Sequence, residues 1–279
     1  MMEEQIKSVE NYSLRFACIG GQFSTENRGT ETLKAQHEIS GRILAIDTSS
    51  RTGVVVLADL SSGQFQSVTI SPGLTHGREL VPTIQNLFKH SGMKFRQLDA
   101  VAIGIGPGSY TGLRVGMAVA KTIAEVIDKP CLAIDSLLLP VLNLPDSEKI
   151  AISIADAQRG AIYLARYLRQ SPDTAWACTH PPQILPWDEL RNWASVSSAI
   201  ITGPGLALSA KLGPPEARTA DEANWLPDHV AMQKLVSDYL NACPAIDRHT
   251  IEPLYIRPSA AEEKRQELTA ASDQAPFQA

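Results

Sequence analysis

Arg42-Ile-Leu-Ala-Ile-Asp47-Thr-Ser-Ser-Arg-Thr-Gly53-Val-Val-Val-Leu-Ala58 decides the fold. Its two ends are short β-branched and apolar runs of strand length, and its middle is a hydroxyl-rich turn. The economical reading is strand, turn, strand, with Asp47 closing the first strand. A related pattern returns about a hundred residues later: Ile150–Ala155, the turn Asp156-Ala-Gln-Arg-Gly160, and Ala161–Leu168. Two halves that open alike imply two lobes.

A third strand fits Gln64–Ile70. His76–Ser91 places Leu80, Val81, Ile84, Leu87 and Phe88 at helical spacing. Pro82 predicts that the regular helix starts near Arg78–Leu80 or kinks. Leu98–Ile105 reads as a buried strand. It runs into Gly104-Ile-Gly-Pro-Gly-Ser-Tyr-Thr-Gly112 and a long helix to about Asp128. Cys131–Ile134 is a strand and Ser136–Leu142 a short helix. The turn 143–149 predicts a boundary between a first lobe, 41–145, and a second, 146–258. In the second lobe Ala199–Thr202 is a strand ending in Gly203-Pro-Gly205, and Val230–Leu240 is helical. Prolines at 172, 181, 182, 186, 214 and 215 are expected to cut that lobe into short pieces. Residues 1–40 and 259–279 are polar and aperiodic, which predicts a disordered extension and a polar tail.

Composition narrows the class. The chain has 279 residues, 44% hydrophobic and 20% charged, with net charge −5. No apolar run approaches the roughly 20 residues a membrane helix needs. An acidic balance argues against a self-sufficient nucleic-acid binder. Cys18, Cys131, Cys178 and Cys243 form no C-x-x-C pair, which fits a reducing cytoplasm better than a disulfide or zinc framework.

The glycine loop comes after a strand and opens a helix, the setting of a phosphate site. Gly106, Gly108 and Ser109 are its candidate residues, with Gly203 and Gly205 as the second-half counterpart. The loop matches neither the Walker pattern nor G-x-G-x-x-G, so a tight strand-to-helix connection competes with phosphate binding. Asp47, with Thr48, and Asp156 could hold the waters of a magnesium ion between two lobes. Alternatively, each caps its own turn. A metal pair on one helix face needs His at i and i+4, but His76 is succeeded there by Leu80. No G-x-S-x-G elbow occurs, because Pro107 precedes Ser109 by two.

In the long helix, Val115, Val119, Thr122, Ile123 and Val126 form one stripe. Leu113, Met117, Ala120, Ala124 and Ile127 form another, with the spacing of a helix-pairing seam. A helix lying on a sheet needs one apolar stripe. The second stripe, whose small residues permit close approach, is expected to meet either the chain's own helix 78–91 or a partner.

Several segments together resemble the TsaB (YeaZ) family. They are Ile43-Leu-Ala-Ile-Asp-Thr-Ser49, His76-x-x-x-Leu-Val-Pro82, Gly104-x-Gly-Pro-Gly-Ser-Tyr-Thr-Gly-Leu-Arg-Val-Gly116, Ala155–Gly160 with Tyr163, Thr202–Gly205, and Glu252-Pro-Leu-Tyr-Ile-Arg257. The likeness runs from about Gly41 to about Lys264 and leaves residues 1–40 without a counterpart. It implies an α/β actin-like ATPase fold of two lobes, each a mixed sheet flanked by helices. It also implies a non-catalytic, cytoplasmic subunit for making threonylcarbamoyladenosine beside the anticodon of tRNA. The partners would be a TsaD-like catalytic subunit, which carries the metal, and a TsaE-like ATPase. ATP and metal would then sit in those subunits and none in this chain. The tRNA would be met through the complex, and the chain alone could form a homodimer. The family pairs through helices of the first lobe, which places His76, Leu80 and the stripe Leu113–Ile127 at the interface. The competing readings are a self-contained ATP-dependent phosphotransferase of the same fold and a metalloprotease, the latter opposed by Leu80.

Overall fold

A computed structural model describes residues 41–70, 76–195, 198–240 and 245–257. The expected extension 1–40 and the tail 259–279 lie outside the described residues, as do Cys18 and Cys243.

Chain order is β1 (Arg42–Asp47), β2 (Gly53–Asp59), β3 (Gln64–Ile70), α1 (His76–Ser91), β4 (Ala100–Gly104), α2 (Tyr110–Ile127), β5 (Cys131–Ile134) and α3 (Leu138–Leu142). Then come β6 (Ile150–Asp156), β7 (Ala161–Leu168), β8 (Ala177–Pro186), α4 (Leu190–Ser195), β9 (Ile200–Thr202), α5 (Ser209–Leu212), α6 (His229–Lys234) and β10 (Ala245–Ile246). The first sheet has the order β10-β5-β4-β1-β2-β3 and the second β8-β7-β6-β9. In each, an opening antiparallel hairpin (β1–β2, β6–β7) gains a parallel strand on its free side, β4 or β9. Both sheets are therefore mixed, and helices cover them, as expected of an actin-like ATPase-type α/β fold. β1, β2, β4 and β5 read as nearly unbroken apolar runs because both faces are covered.

Three sequence expectations need correction. The prolines do not fragment 177–186: β8 is one ten-residue strand containing Pro181, Pro182 and Pro186. It lies at the sheet edge and pairs only with β7, where a missing N–H need not cost a ladder bond. The helix bearing Pro82 starts at His76, earlier than expected. Pro82 and Arg78 are both exposed, so the helical bond that Pro82 cannot donate to the Arg78 carbonyl is missing on an exposed face. The second lobe does not run to 258. The chain crosses back after about residue 228: α6 packs on β2 and β3, and β10 extends the first sheet beside β5. Leu254 N–H then donates to the Ile105 carbonyl at 2.7 Å. The return covers an otherwise open edge of the first sheet, a need that hydropathy along the chain does not reveal.

Of the two alternatives for the stripe Leu113–Ile127 of α2, the internal one holds. Leu113, Met117, Ala120 and Ala124 are buried, and Leu80 of α1 is fully buried, so this seam is the chain's own core. Ile127 is half-buried against the same core. Small residues at 120 and 124 let α2 lie close to the sheet. The other stripe is only partly covered: Val115, Val119 and Ile123 are half-buried against the same core and Val126 is 72% exposed.

Candidate functional site

Between the lobes lies a cleft of about 1050 Å³. Its first-lobe wall is the β1–β2 turn and the start of α2. Its second-lobe wall is the β6–β7 turn and the segment after β9, and the returning chain at 254–257 bridges the two walls.

The sequence-predicted residues divide here. Asp47 is fully buried and does not line the cleft. Ser49 donates to its Oδ1 from both the backbone N–H (2.8 Å) and Oγ (2.7 Å). Ser136 Oγ donates to its Oδ2 at 2.6 Å and itself accepts from Gly106 N–H at 3.0 Å. Ser136 lies in the turn ahead of α3, which begins at Leu138, later than the expected Ser136. Thr48, also buried, donates to the Gly112 carbonyl at 2.7 Å.

The glycine loop lies against this turn. Ser109 N–H donates to the Ser49 carbonyl at 2.6 Å. Ser109 Oγ caps α2 by accepting from Gly112 N–H at 3.2 Å. A Cβ on Gly108 would come within 2.3 Å of the Ser49 carbonyl oxygen, and one on Gly112 within 2.0 Å of the Thr48 oxygen. These glycines are needed for close backbone approach. The N–H groups of Gly106, Ser109 and Gly112 are all engaged inside the chain. Gly108 and Ser109 still line the cleft; Thr48 and Gly106 do not.

Asp156 differs. It is exposed, lines the cleft, and accepts from Gln158 N–H at 2.6 Å. Gly203 and Gly205 pack on the backbone of Ile154 and Ala155 rather than reaching the cleft; between them, Pro204 does. Among the described residues, the predicted site residues brought together at the cleft are thus Gly108, Ser109, Asp156 and Leu113, whose side chain is otherwise core. His76 opens α1, and its side chain lies outside the described residues. Among the described residues no three His, Cys, Asp or Glu lie close enough to hold a metal ion. No described helix is long and apolar enough to cross a membrane.

Sequence reading missed the basic character of the cleft. Arg51 and Arg114 come from one wall, Arg159 and Lys211 from the other and Arg257 from the returning chain, against Asp156 as the one lining acid among the described residues. The Arg114 guanidinium lies 4.1 Å from the Tyr110 ring centroid, and its Nε donates to Tyr255 Oη at 3.0 Å. The Tyr110 and Tyr255 rings are 5.0 Å apart. Arg257 donates to the carbonyls of Ala157 and Gln158, tying the returning chain to the β6–β7 turn. Arg114, Arg159 and Arg257 sit inside the motif segments, but they are scattered along the sequence and only folding gathers them.

Comparison with known proteins agrees with this architecture. A family model described as TsaD, tRNA N6-adenosine threonylcarbamoyltransferase, matches residues 72–178. The tRNA threonylcarbamoyladenosine biosynthesis protein TsaB of Haemophilus influenzae is 28% identical over 77% of this chain and 93% of its own length. TsaB of Bacillus subtilis is 33% identical over 45% of this chain, a match that spans about half of that relative, 54%. A structure of YeaZ from Pseudomonas aeruginosa superposes with a TM-score of 0.64 at 22% identity, covering 77% of this chain and 99% of that one.

Proposed function

We propose, from the premise that the chain belongs to the TsaB (YeaZ) family, that it serves tRNA threonylcarbamoyladenosine biosynthesis by holding a TsaD-like catalytic subunit. It does no chemistry of its own in this reading.

The observation that carries the proposal is the outward stripe of α2. Val115, Val119 and Ile123 are half-buried against the chain's own core, the same stripe ends in Val126, 72% exposed, and Val81 of α1, 44% exposed, lies on the helix packed beside it. Burying such a stripe against a partner's helices gains roughly 25 cal/mol per Å² of apolar surface. A pair of parallel or antiparallel helices is the natural acceptor, since i±3 and i±4 ridges interlock. The partner seam is therefore placed on Val115–Val126, not on Leu113–Ile127. A second copy of this chain could use the same face when the catalytic subunit is absent. The TsaE-like ATPase would join the assembled pair, and ATP and metal would be held by the partner subunits.

The covered turn supports the non-catalytic half of the reading. A phosphotransferase of this architecture would present Asp47 and the loop N–H groups to the cleft. Here the carboxylate accepts three internal hydrogen bonds and three loop N–H groups are already committed.

The test is reconstitution with purified TsaD-like and TsaE-like subunits, tRNA, ATP and the threonylcarbamoyl donor. The chain alone is expected to give no modified tRNA and no ATP turnover, and the TsaD-like subunit is expected to need the chain for full rate. Modification by the chain alone, or a catalytic subunit indifferent to it, contradicts the proposal.

A further inference from the structure

We infer that the interlobe cleft binds a single-stranded segment of RNA, its phosphates held by side-chain cations and its bases by tyrosine rings. The choice of RNA over other polyanions rests on the proposed role in tRNA modification; the anionic preference rests on the cleft itself.

Charge is the first observation. The chain carries −5 overall, yet among the described residues five basic side chains and one acid line this cleft. The charge is thus concentrated against the balance of the molecule, and a cleft focuses its field.

The distribution of donors is the second. A mononucleotide's clustered phosphates are normally gripped by converging backbone N–H groups at a helix start. Here those of Gly106 and Ser109 bond to Ser136 and Ser49, and that of Gly112 to the capping Ser109 hydroxyl. Beside what remains of that helix start, the cleft offers side-chain cations on opposite walls, Arg51 and Arg114 on one and Arg159 and Lys211 on the other. Separated cations suit charges that are themselves separated, as along a phosphodiester chain.

Aromatic surface is the third. Tyr110 and Tyr255, with Arg114 beside both rings, form a platform at the cleft wall, and Tyr255 is 38% exposed. Basic grooves interleaved with aromatic rings are how single strands are bound without sequence preference. The volume, about 1050 Å³, is just above the roughly 300–1,000 Å³ typical of small-molecule pockets and leaves room for more than one nucleotide.

Fluorescence anisotropy on the full chain tests this, with a labelled oligouridylate of about twelve nucleotides, inside the range of known single-strand site sizes. Saturable binding is expected at about 50 mM salt, with log K falling against log salt at a slope of about −2 to −3, as for three or four neutralised phosphates. The double variant Arg51→Glu/Lys211→Glu should weaken binding about tenfold or more. The control Arg96→Glu/Arg191→Glu changes the net charge equally at exposed residues outside the cleft lining and should weaken it less than about threefold. Millimolar ATP should leave the oligonucleotide bound. Absence of saturable binding by the folded chain, equal loss in both double variants, or displacement by ATP would each overturn the inference. None of these readouts involves the TsaD-like subunit, so the cleft can fail while partner capture stands, and the reverse.

Discussion

The β1–β2 turn and the β6–β7 turn begin as the same object, an aspartate closing a strand ahead of a polar turn, and end in opposite surroundings. Asp47 is fully buried and receives three hydrogen bonds from Ser49 and Ser136. Asp156 stands exposed at the cleft and caps its own turn through Gln158. The difference comes from where the glycines of each lobe pack. In the first lobe the glycine loop folds over the turn, with Gly108 and Gly112 backed onto the carbonyls of Ser49 and Thr48. In the second lobe Gly203 and Gly205 back onto β6 itself, and the turn stays open. A duplicated strand–turn–strand can therefore keep its backbone while one copy becomes an internal joint and the other a surface.

The largest effect should come from prising the first turn and its loop apart. Gly112→Ala places a Cβ 2.0 Å from a backbone oxygen that cannot rotate away. Chemical denaturation should show a loss of about 3 kcal/mol or more. A loss under about 1 kcal/mol would mean the loop adapts and the joint is loose.

Asp47→Ala and Asp156→Asn compare the two aspartates directly. The first strands the Ser49 and Ser136 donors in a buried site and should cost about 3 kcal/mol. The second should change stability by less than about 0.5 kcal/mol, as exposed substitutions do. Equal costs would erase the distinction drawn between the turns.

Within the open turn, Gly160→Ala isolates backbone conformation. Nothing lies within 4 Å of the added Cβ, but φ is +76°. The expected loss is about 1–2 kcal/mol, the penalty of the left-handed region alone, measured by thermal or urea unfolding. A cost as large as that of Gly112→Ala would show that this turn too is packed.

The smallest effect belongs to the outer edge of the second lobe. Burial, and secondly the nearby Arg166 charge, lower the pKa of His180 on β8. The folded state therefore favours the neutral ring. Its contribution is fully present above the unfolded value of about 6.5 and is lost as pH falls through the lower folded value. Melting curves between about pH 7 and pH 5 should show a decline that His180→Gln reduces. An unchanged pH dependence in the variant would remove His180 from the account.

Much of this is legible in the chain. Every described strand except β8 and β10 lies in a segment whose apolar, β-branched character marks it as a strand. β8 is hidden because proline penalises a strand only where the ladder needs its N–H, and an edge does not declare itself in one dimension. β10 has two residues and forms because the chain returns to β5. The double stripe of α2 is visible in the sequence, but which stripe faces inward is not. Helical spacing gives the angle between stripes, and only the position of the sheet says which one is covered. The glycine loop falls between strand and helix as its sequence indicates, yet its N–H partners lie 30 and 60 residues away at Ser136 and Ser49. The basic cleft is invisible for the same reason: Arg51, Arg159 and Lys211 meet only across the lobes.

The central claim is that this chain works through the outer face of α2 rather than through the acids of its cleft. Isothermal titration of the full chain against a TsaD-like subunit tests it most directly, comparing wild type, Val126→Glu and Asp156→Asn. Val126 is 72% exposed, so its replacement should leave the melting temperature within about 2 °C. The account predicts that Val126→Glu weakens the partner's binding at least about tenfold, since a charge is placed in a helix seam, while Asp156→Asn binds as wild type. Undiminished binding by folded Val126→Glu, with loss in Asp156→Asn, would contradict it.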